Sequence, residues 1–259
     1  MTPSTEAGRA GLAALRADPG RAVVALDYDG TLAPVVDRPQ DAVPAAGAVE
    51  VLTALAARTR VLALVTGRPA PAVVELGGLA GIPGLVVLGQ YGAQRWSGGE
   101  LVEDAPAPGL AAVRRELPAL LGDARLEDKG LSLVVHARGL PDPAGALGAL
   151  AGPVQALAGA YGLEVHPGRL VLEVRPPGPD KRAALLSLCE PPPSAVLFAG
   201  DDLGDLPAFA AVAELRNRGV AGLTVCSASD EGPAQLREQA DLVVDGPAGV
   251  VELLRGLLA

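Results

Sequence analysis

Short apolar runs recur along this chain, and each stops at a cluster of polar or turn-forming residues. Val23-Val24-Ala25-Leu26, Val61 to Val65, Leu85 to Leu88, Ala195 to Ala199, Leu223 to Cys226 and Leu242 to Val244 read as buried strands, being brief, apolar and mostly rich in β-branched residues. Between them lie stretches with apolar positions at helical spacing. These are Ala45 to Arg58, a helix opening at Pro69, Asp180 to Leu188, Leu206 to Arg216 and Gly249 to Leu258. Strand alternating with helix predicts a parallel sheet with right-handed crossovers and helices on both faces.

The rhythm changes from about Leu101. Pro106 and Pro108 interrupt it, Leu110 to Leu121 is spaced as a helix, and Leu131 to His136 alternates like a half-exposed strand. Pro143 to Ala160 is helical again, and Leu163 to Val165 and Leu170 to Val174 form a strand pair around Pro167-Gly168. This is α+β order with antiparallel strands. The expected fold is therefore α/β: a doubly wound parallel-sheet core from residues 1–102 and 175–259, with an α+β cap domain inserted at 103–174.

In sheets of this kind ligands bind beyond the carboxyl ends of the strands, and here those ends carry acids. Asp27 and Asp29 follow the first strand and, as residues i and i+2 of an extended segment, point the same way. Gly30 then permits a sharp turn. A solvated Asp-Gly turn would read the same way in isolation. A second acidic group, Asp201, Asp202 and Asp205, ends the Ala195 strand, where acids also serve as helix caps. Two acidic strand ends at one sheet edge would suit Mg²⁺, because close carboxylates repel without a cation and hard oxygen ligands suit that ion.

Thr66 ends the Val61 strand and Lys181 opens the helix leading into the Ala195 strand. Lysine is scarce here: Lys129 and Lys181 stand against nineteen arginines. A solvated helix-end lysine is the plain alternative. Taken together, a carboxylate nucleophile, a neighbouring acid, a hydroxyl, a lysine and a metal are what phosphoryl transfer through an aspartyl-phosphate requires.

Composition narrows the partners. A formal charge of −9 and a sequence pI near 4.8 argue against a nucleic-acid or anionic-membrane surface. Cys189 and Cys226 show no metal-ligand spacing and are expected to be reduced core thiols of a cytoplasmic protein. The segment through Gly20 has no apolar core of a signal peptide, and no apolar run approaches membrane-spanning length.

These motifs, in this order, resemble those of the haloacid-dehalogenase-like phosphohydrolases. Asp27-Tyr28-Asp29-Gly30-Thr31 is similar to their first motif, Thr66-Gly67-Arg68 to the second, Lys181 to the third and Gly200-Asp201-Asp202-Leu203-Gly204-Asp205 to the fourth. The resemblance sharpens to trehalose-phosphate phosphatases through Glu127-Asp128-Lys129-Gly130-Leu131, Val135-His136-Ala137-Arg138 and Leu172-Glu173-Val174-Arg175-Pro176. It implies a Mg²⁺-dependent enzyme releasing trehalose from trehalose 6-phosphate, with a sugar-phosphate synthase as pathway partner. Asp27 would be the nucleophile and Asp29 the acid and base. Thr66 would bind the phosphoryl group and Lys181 screen its charge. The metal would be held among Asp27, the Asp29 carbonyl, Asp201, Asp202 and Asp205. Gly67, Arg68, Lys129, His136, Arg138 and Glu173 would meet the substrate.

The chain departs from the family pattern at Tyr91, Gln94, Arg182 and Gly204. The first pair leaves other sugar phosphates open, among them glycosyl-glycerate, sucrose and pseudo-disaccharide phosphates. A receiver-type regulatory domain and a silent sugar-phosphate sensor use similar strand-end groups. A receiver has no need of so large an insertion, nor of an acid placed to protonate a leaving group.

Overall fold

The computed structural model describes residues 1–36, 38–168, 170–178, 180–229 and 232–258. The chain divides into two compact units, Met1–Val102 with Asp180–Ala259, and Glu103–Pro179.

The larger unit opens with helix α1 (Glu6–Ala17), strand β1 (Val23–Leu26), α2 (Ala48–Ala56), β2 (Val61–Val65), α3 (Ala70–Leu76), β3 (Leu85–Gly89), β4 (Gln94–Ser97) and β5 (Glu100–Glu103), whose last residue falls in the second unit. The smaller unit contributes α4 (Leu110–Glu116), β6 (Arg125–Asp128), β7 (Leu133–His136), α5 (Pro143–Ala160), β8 (Glu164–Gly168) and β9 (Val171–Arg175). The chain then returns through α6 (Lys181–Leu188), β10 (Ala195–Gly200), α7 (Leu206–Asn217), β11 (Ala221–Ala228), α8 (Ala234–Gln239), β12 (Leu242–Asp245) and α9 (Gly246–Arg255).

The larger unit is built on one sheet of order β12-β11-β10-β1-β2-β3-β4-β5. Its six strands from β12 to β3 pair in parallel, and β4 runs antiparallel to β3. Alternation along β1 sorts its side chains into two layers. Val24 and Leu26 join Leu12, Leu52 and Val250 on one face; Val23 and Ala25 join Leu185, Phe209 and Leu236 on the other. Burial on both faces is why these strands are apolar throughout. From β1 the chain winds outward to β2 and β3 on one side, and later to β10, β11 and β12 on the other. The switch in direction falls between β1 and β10, where such sheets open a crevice.

Four elements of this unit escape the hydrophobic pattern. Helix α1 carries Gly8 and Gly11, which lower its helical signal but admit close neighbours: a Cβ on Gly11 would lie 1.9 Å from the Gly222 carbonyl oxygen. The β4 and β5 strands flank Gly98-Gly99, both at positive φ, a two-residue link that only their sequence neighbours could have signalled. Helix α8 is six residues long, too short for a periodicity. The last helix starts three residues earlier than expected and ends at Arg255.

The smaller unit is a four-stranded antiparallel sheet of order β6-β7-β9-β8. Leu133, Val135, Leu172 and Val174 face its core with Leu110, Val113, Val154 and Ala158 of α4 and α5. The alternate positions, Glu127, Val134, His136, His166, Glu173 and Arg175, stand on the opposite face. Charged β6 was not expected as a strand, because its partner β7 supplies most of the apolar signal.

Candidate active site

Register decides which residues leave the sheet together. Leu26 lies opposite both Leu64 and Ala199, and β2 and β10 run one residue further than β1, so Asp27, Thr66 and Asp201 emerge on one edge. Asp27 N donates to the Ala199 carbonyl at 2.9 Å, extending the ladder one residue past β1.

Lys181 reaches this edge from the first turn of α6. Asp180 caps that helix by accepting from Ala183 N at 2.7 Å, which fixes the turn that carries the lysine. Its ammonium lies 2.8 Å from Asp27 Oδ1 and 2.7 Å from Asp205 Oδ1, and all three side chains are buried. A cation at a helix N-terminus opposes the helix dipole, so the two carboxylates must supply the compensation. They do so amply: burial alone would lower the Lys181 pKa, but Asp205 and Asp27 raise it well above the usual value. The amine stays charged.

Asp205 also organises the loop after β10. Its Oδ2 accepts from Asp201 N at 2.9 Å and Asp202 N at 3.2 Å, while Asp202 accepts from Gly204 N at 2.7 Å in a reciprocal cap. Two glycines make room. A Cβ on Gly200 would fall 2.3 Å from Asp205 Cγ, and one on Gly30 only 2.0 Å from Asp201 Oδ2. Gly30 sits at φ 72°, and its carbonyl accepts from Ser227 Oγ at 2.6 Å, which binds the first acidic loop to β11.

Among the described residues, Asp27, Asp201 and Asp205 form a group able to hold a metal ion, with one oxygen from each within 4.8 Å of the others. Its electrostatics call for a cation beyond Lys181. Burial, then Asp27 and Asp205, push the Asp201 carboxyl up to about 9, and burial raises Asp27 as well, with Lys181 opposing. The donor set is all oxygen and anionic, which suits a hard divalent ion. Asp202 and Asp29 lie outside this group. Asp202 caps the turn, and the Asp29 carboxylate is paired with Arg68 through Nε and Nη2, both at 2.7 Å.

Thr66 is buried, and its hydroxyl accepts from Arg68 N at 3.1 Å, closing the Thr66-Gly67-Arg68 turn. That turn is laid against the segment after β3: Gln90 N donates to the Arg68 carbonyl and Tyr91 N to the Thr66 carbonyl, both at 2.9 Å. Gln90 and Tyr91 hold positive φ of 45° and 61°, a strained pair that only dense surroundings sustain. The Tyr91 hydroxyl would lie 2.7 Å from a Cβ on Gly67. The buried Gln94 side chain accepts from Ala70 N at 2.9 Å and so caps α3, a role its polarity alone could not announce.

In the smaller unit, Lys129 Nζ lies 3.3 Å from Glu173 Oε1, and Ser132 Oγ donates to the same oxygen at 2.9 Å. Ser132 was not singled out from the sequence; its place in an alternating strand, level with the Glu173 side, was the available signal. His136 Nε2 is 2.6 Å from Glu127 Oε2, a contact that holds the Glu127 carboxyl below its usual range. Arg138 is exposed just past β7.

A protein-family model described as trehalose-phosphatase matches residues 25–241. The chain is 36% identical over 209 residues to an uncharacterized glycosyl hydrolase of Mycobacterium tuberculosis, covering 74% of this chain and 15% of that protein. It is 31% identical over 215 residues to the trehalose-phosphate phosphatase of Mycobacterium marinum, covering 74% of this chain and 52% of that one. The chain thus spans about half the length of the curated phosphatases it matches. Its fold is shared with the C-terminal domain of C. albicans trehalose-6-phosphate phosphatase, at a TM-score of 0.78 and 20% identity over 100% of this chain and 98% of that one. A trehalose-6-phosphate phosphatase related protein gives 0.71 at 24% identity over 91% and 96%.

Proposed function

The chain belongs to the trehalose-phosphatase family, and from that premise we propose that it is a phosphoric monoester hydrolase that releases trehalose and phosphate from trehalose 6-phosphate. The observation that carries this reading is the meeting of Asp27, Asp201, Asp205 and Lys181 at the carboxyl edge of one parallel sheet.

Asp27 is the nucleophile. It forms a bond to phosphorus as the sugar oxygen leaves, giving an aspartyl-phosphate. Asp29 delivers a proton to the departing sugar oxygen and later takes one from the water that hydrolyses the acyl phosphate, the double duty of one group in two mirrored half-reactions. Thr66 donates to the phosphoryl group. Lys181, kept charged by its two carboxylates, holds Asp27 in place and offsets the charge that phosphate brings. Asp205 positions Lys181 and the loop after β10, since both of its oxygens are occupied by donors.

Asp27, Asp201 and the Asp29 carbonyl would hold Mg²⁺, with Asp205 and Asp202 fixing the backbone around them. Bound there, the ion would offset the charge on the phosphoryl oxygens. The smaller unit supplies sugar recognition through Glu173, Lys129, His136 and Arg138, with Gly67 beside the phosphate. Two buried free thiols are in keeping with a cytoplasmic setting, and no described helix is long and apolar enough to cross a membrane. A synthase that makes the sugar phosphate is the natural pathway partner.

Phosphate release across a panel of sugar phosphates, with and without Mg²⁺, tests this reading. The expected result is metal-dependent turnover with trehalose 6-phosphate preferred. A preference for a sucrose or glycosyl-glycerate phosphate would move the substrate and keep the chemistry, and no release from any ester would remove both.

A further inference from the structure

The Asp29–Arg68 pair is fork on fork, each carboxylate oxygen taking one N–H at 2.7 Å. The guanidinium is itself tied down. Its Nη1 donates to the Pro39 carbonyl at 2.9 Å, and its carbon sits 5.8 Å from the centroid of the Tyr28 ring. Tyr28 is fully buried and donates to the Ala42 carbonyl at 2.7 Å, so the surface under the guanidinium is fixed as well. Both backbone polar groups of Arg68 are engaged, with Thr66 Oγ1 and with Gln90 N.

A guanidinium grips a carboxylate or a phosphoryl group bidentately with one edge, and the Nε–Nη2 edge of Arg68 is committed to Asp29. We infer that Arg68 is a positioning residue for Asp29 rather than a ligand of the substrate, and that it acts on hydrolysis of the aspartyl-phosphate. The inference rests on the roles given above to Asp27 and Asp29.

The fork leaves Asp29 room for its proton. A carboxylate offers about four acceptor positions, and the fork occupies one on each oxygen, leaving each another with which to take a proton from water. The same free position would carry the proton that Asp29 gives to a sugar leaving group, so an ester whose leaving group needs no proton isolates the water step. In the supported step the water oxygen bonds to phosphorus and its proton passes to Asp29. The phosphorus–oxygen bond to Asp27 breaks, and its electron pair restores the Asp27 carboxylate.

Rapid-quench kinetics of the full chain with Mg²⁺ and p-nitrophenyl phosphate test this, because that leaving group departs without a proton. Arg68→Ala is expected to release a burst of p-nitrophenol approaching one equivalent, to carry a phosphoryl group after quenching, and to turn over about 10²-fold more slowly than wild type. Arg68→Lys keeps the charge beside Tyr28 but cannot fork, so it should show the same burst even if the alanine variant fails to fold. A raised KM with no burst in either variant would make Arg68 a substrate ligand, and wild-type kinetics for Arg68→Lys would show the fork to be dispensable; each overturns the inference. Asp29→Asn checks the premise separately. It too should burst, and full turnover without one would overturn the role of Asp29 itself.

Discussion

Gly30 and Asp201 meet so closely that a Cβ on the glycine would stand 2.0 Å from Asp201 Oδ2, although 170 residues separate them. The first acidic loop and the loop after β10 therefore share one space, and the glycine is what permits it. At φ 72° any other residue is also strained.

Gly30→Ala is expected to displace Asp201. The positive φ alone costs about 1–3 kcal/mol. Displacing a group at the reaction centre should lower kcat by about 10²-fold. Thermal unfolding and phosphate release, measured side by side, check both.

Lys181→Met should be the most destabilising single change in the site. It removes the cation from two buried carboxylates, and breaking a buried pair from one side costs roughly 3–5 kcal/mol. Denaturant unfolding should show the loss, and Mg²⁺ should recover part of it by supplying another cation. A variant as stable as wild type would mean that the acids find compensation elsewhere.

The raised carboxyl of Asp201 sets a pH dependence. In the unfolded chain this group titrates near 3.8, and in the ion-free fold at about 9, so between those values the folded state binds the extra proton. Its contribution to stability is present below about pH 4 and is lost as pH rises towards 9. The melting temperature in chelator should accordingly fall from pH 5 to pH 9, and Mg²⁺ should flatten the slope. Ion binding should release protons, visible by calorimetry in buffers of different ionisation enthalpy.

Much of the core was legible because its strands are buried on both faces and therefore apolar end to end. The acids stood out because they interrupt that pattern at strand ends. The pairing of Lys181 with both Asp27 and Asp205 could not be read, since a helix-start lysine looks the same solvated or buried. Nor could the Arg68 grip on Asp29, which depends on how two turns are laid together. Helix α1 was hidden by glycines that serve packing against Asp241 and Gly222, and β6 by charges whose apolar partner lies on β7.

In the smaller unit, Glu173→Gln should spare chemistry and weaken sugar binding. Ser132 and Lys129 hold the buried Glu173 carboxylate in place, and a charged hydrogen bond from it to a sugar hydroxyl would be worth about 1.5–3 kcal/mol. KM for trehalose 6-phosphate should rise by about tenfold or more on that scale, with p-nitrophenyl phosphate hydrolysed as before. Equal losses on both substrates would remove Glu173 from sugar recognition.

The role of Asp27 is open to direct measurement. Wild-type enzyme is mixed with Mg²⁺ and trehalose 6-phosphate, quenched in acid during turnover and mapped by peptide mass spectrometry. The expected result is a phosphoryl group on Asp27, absent from an inactive Asp27→Asn variant. A phosphoryl group on another residue, or an Asp27→Asn enzyme that turns over like wild type, would contradict the account.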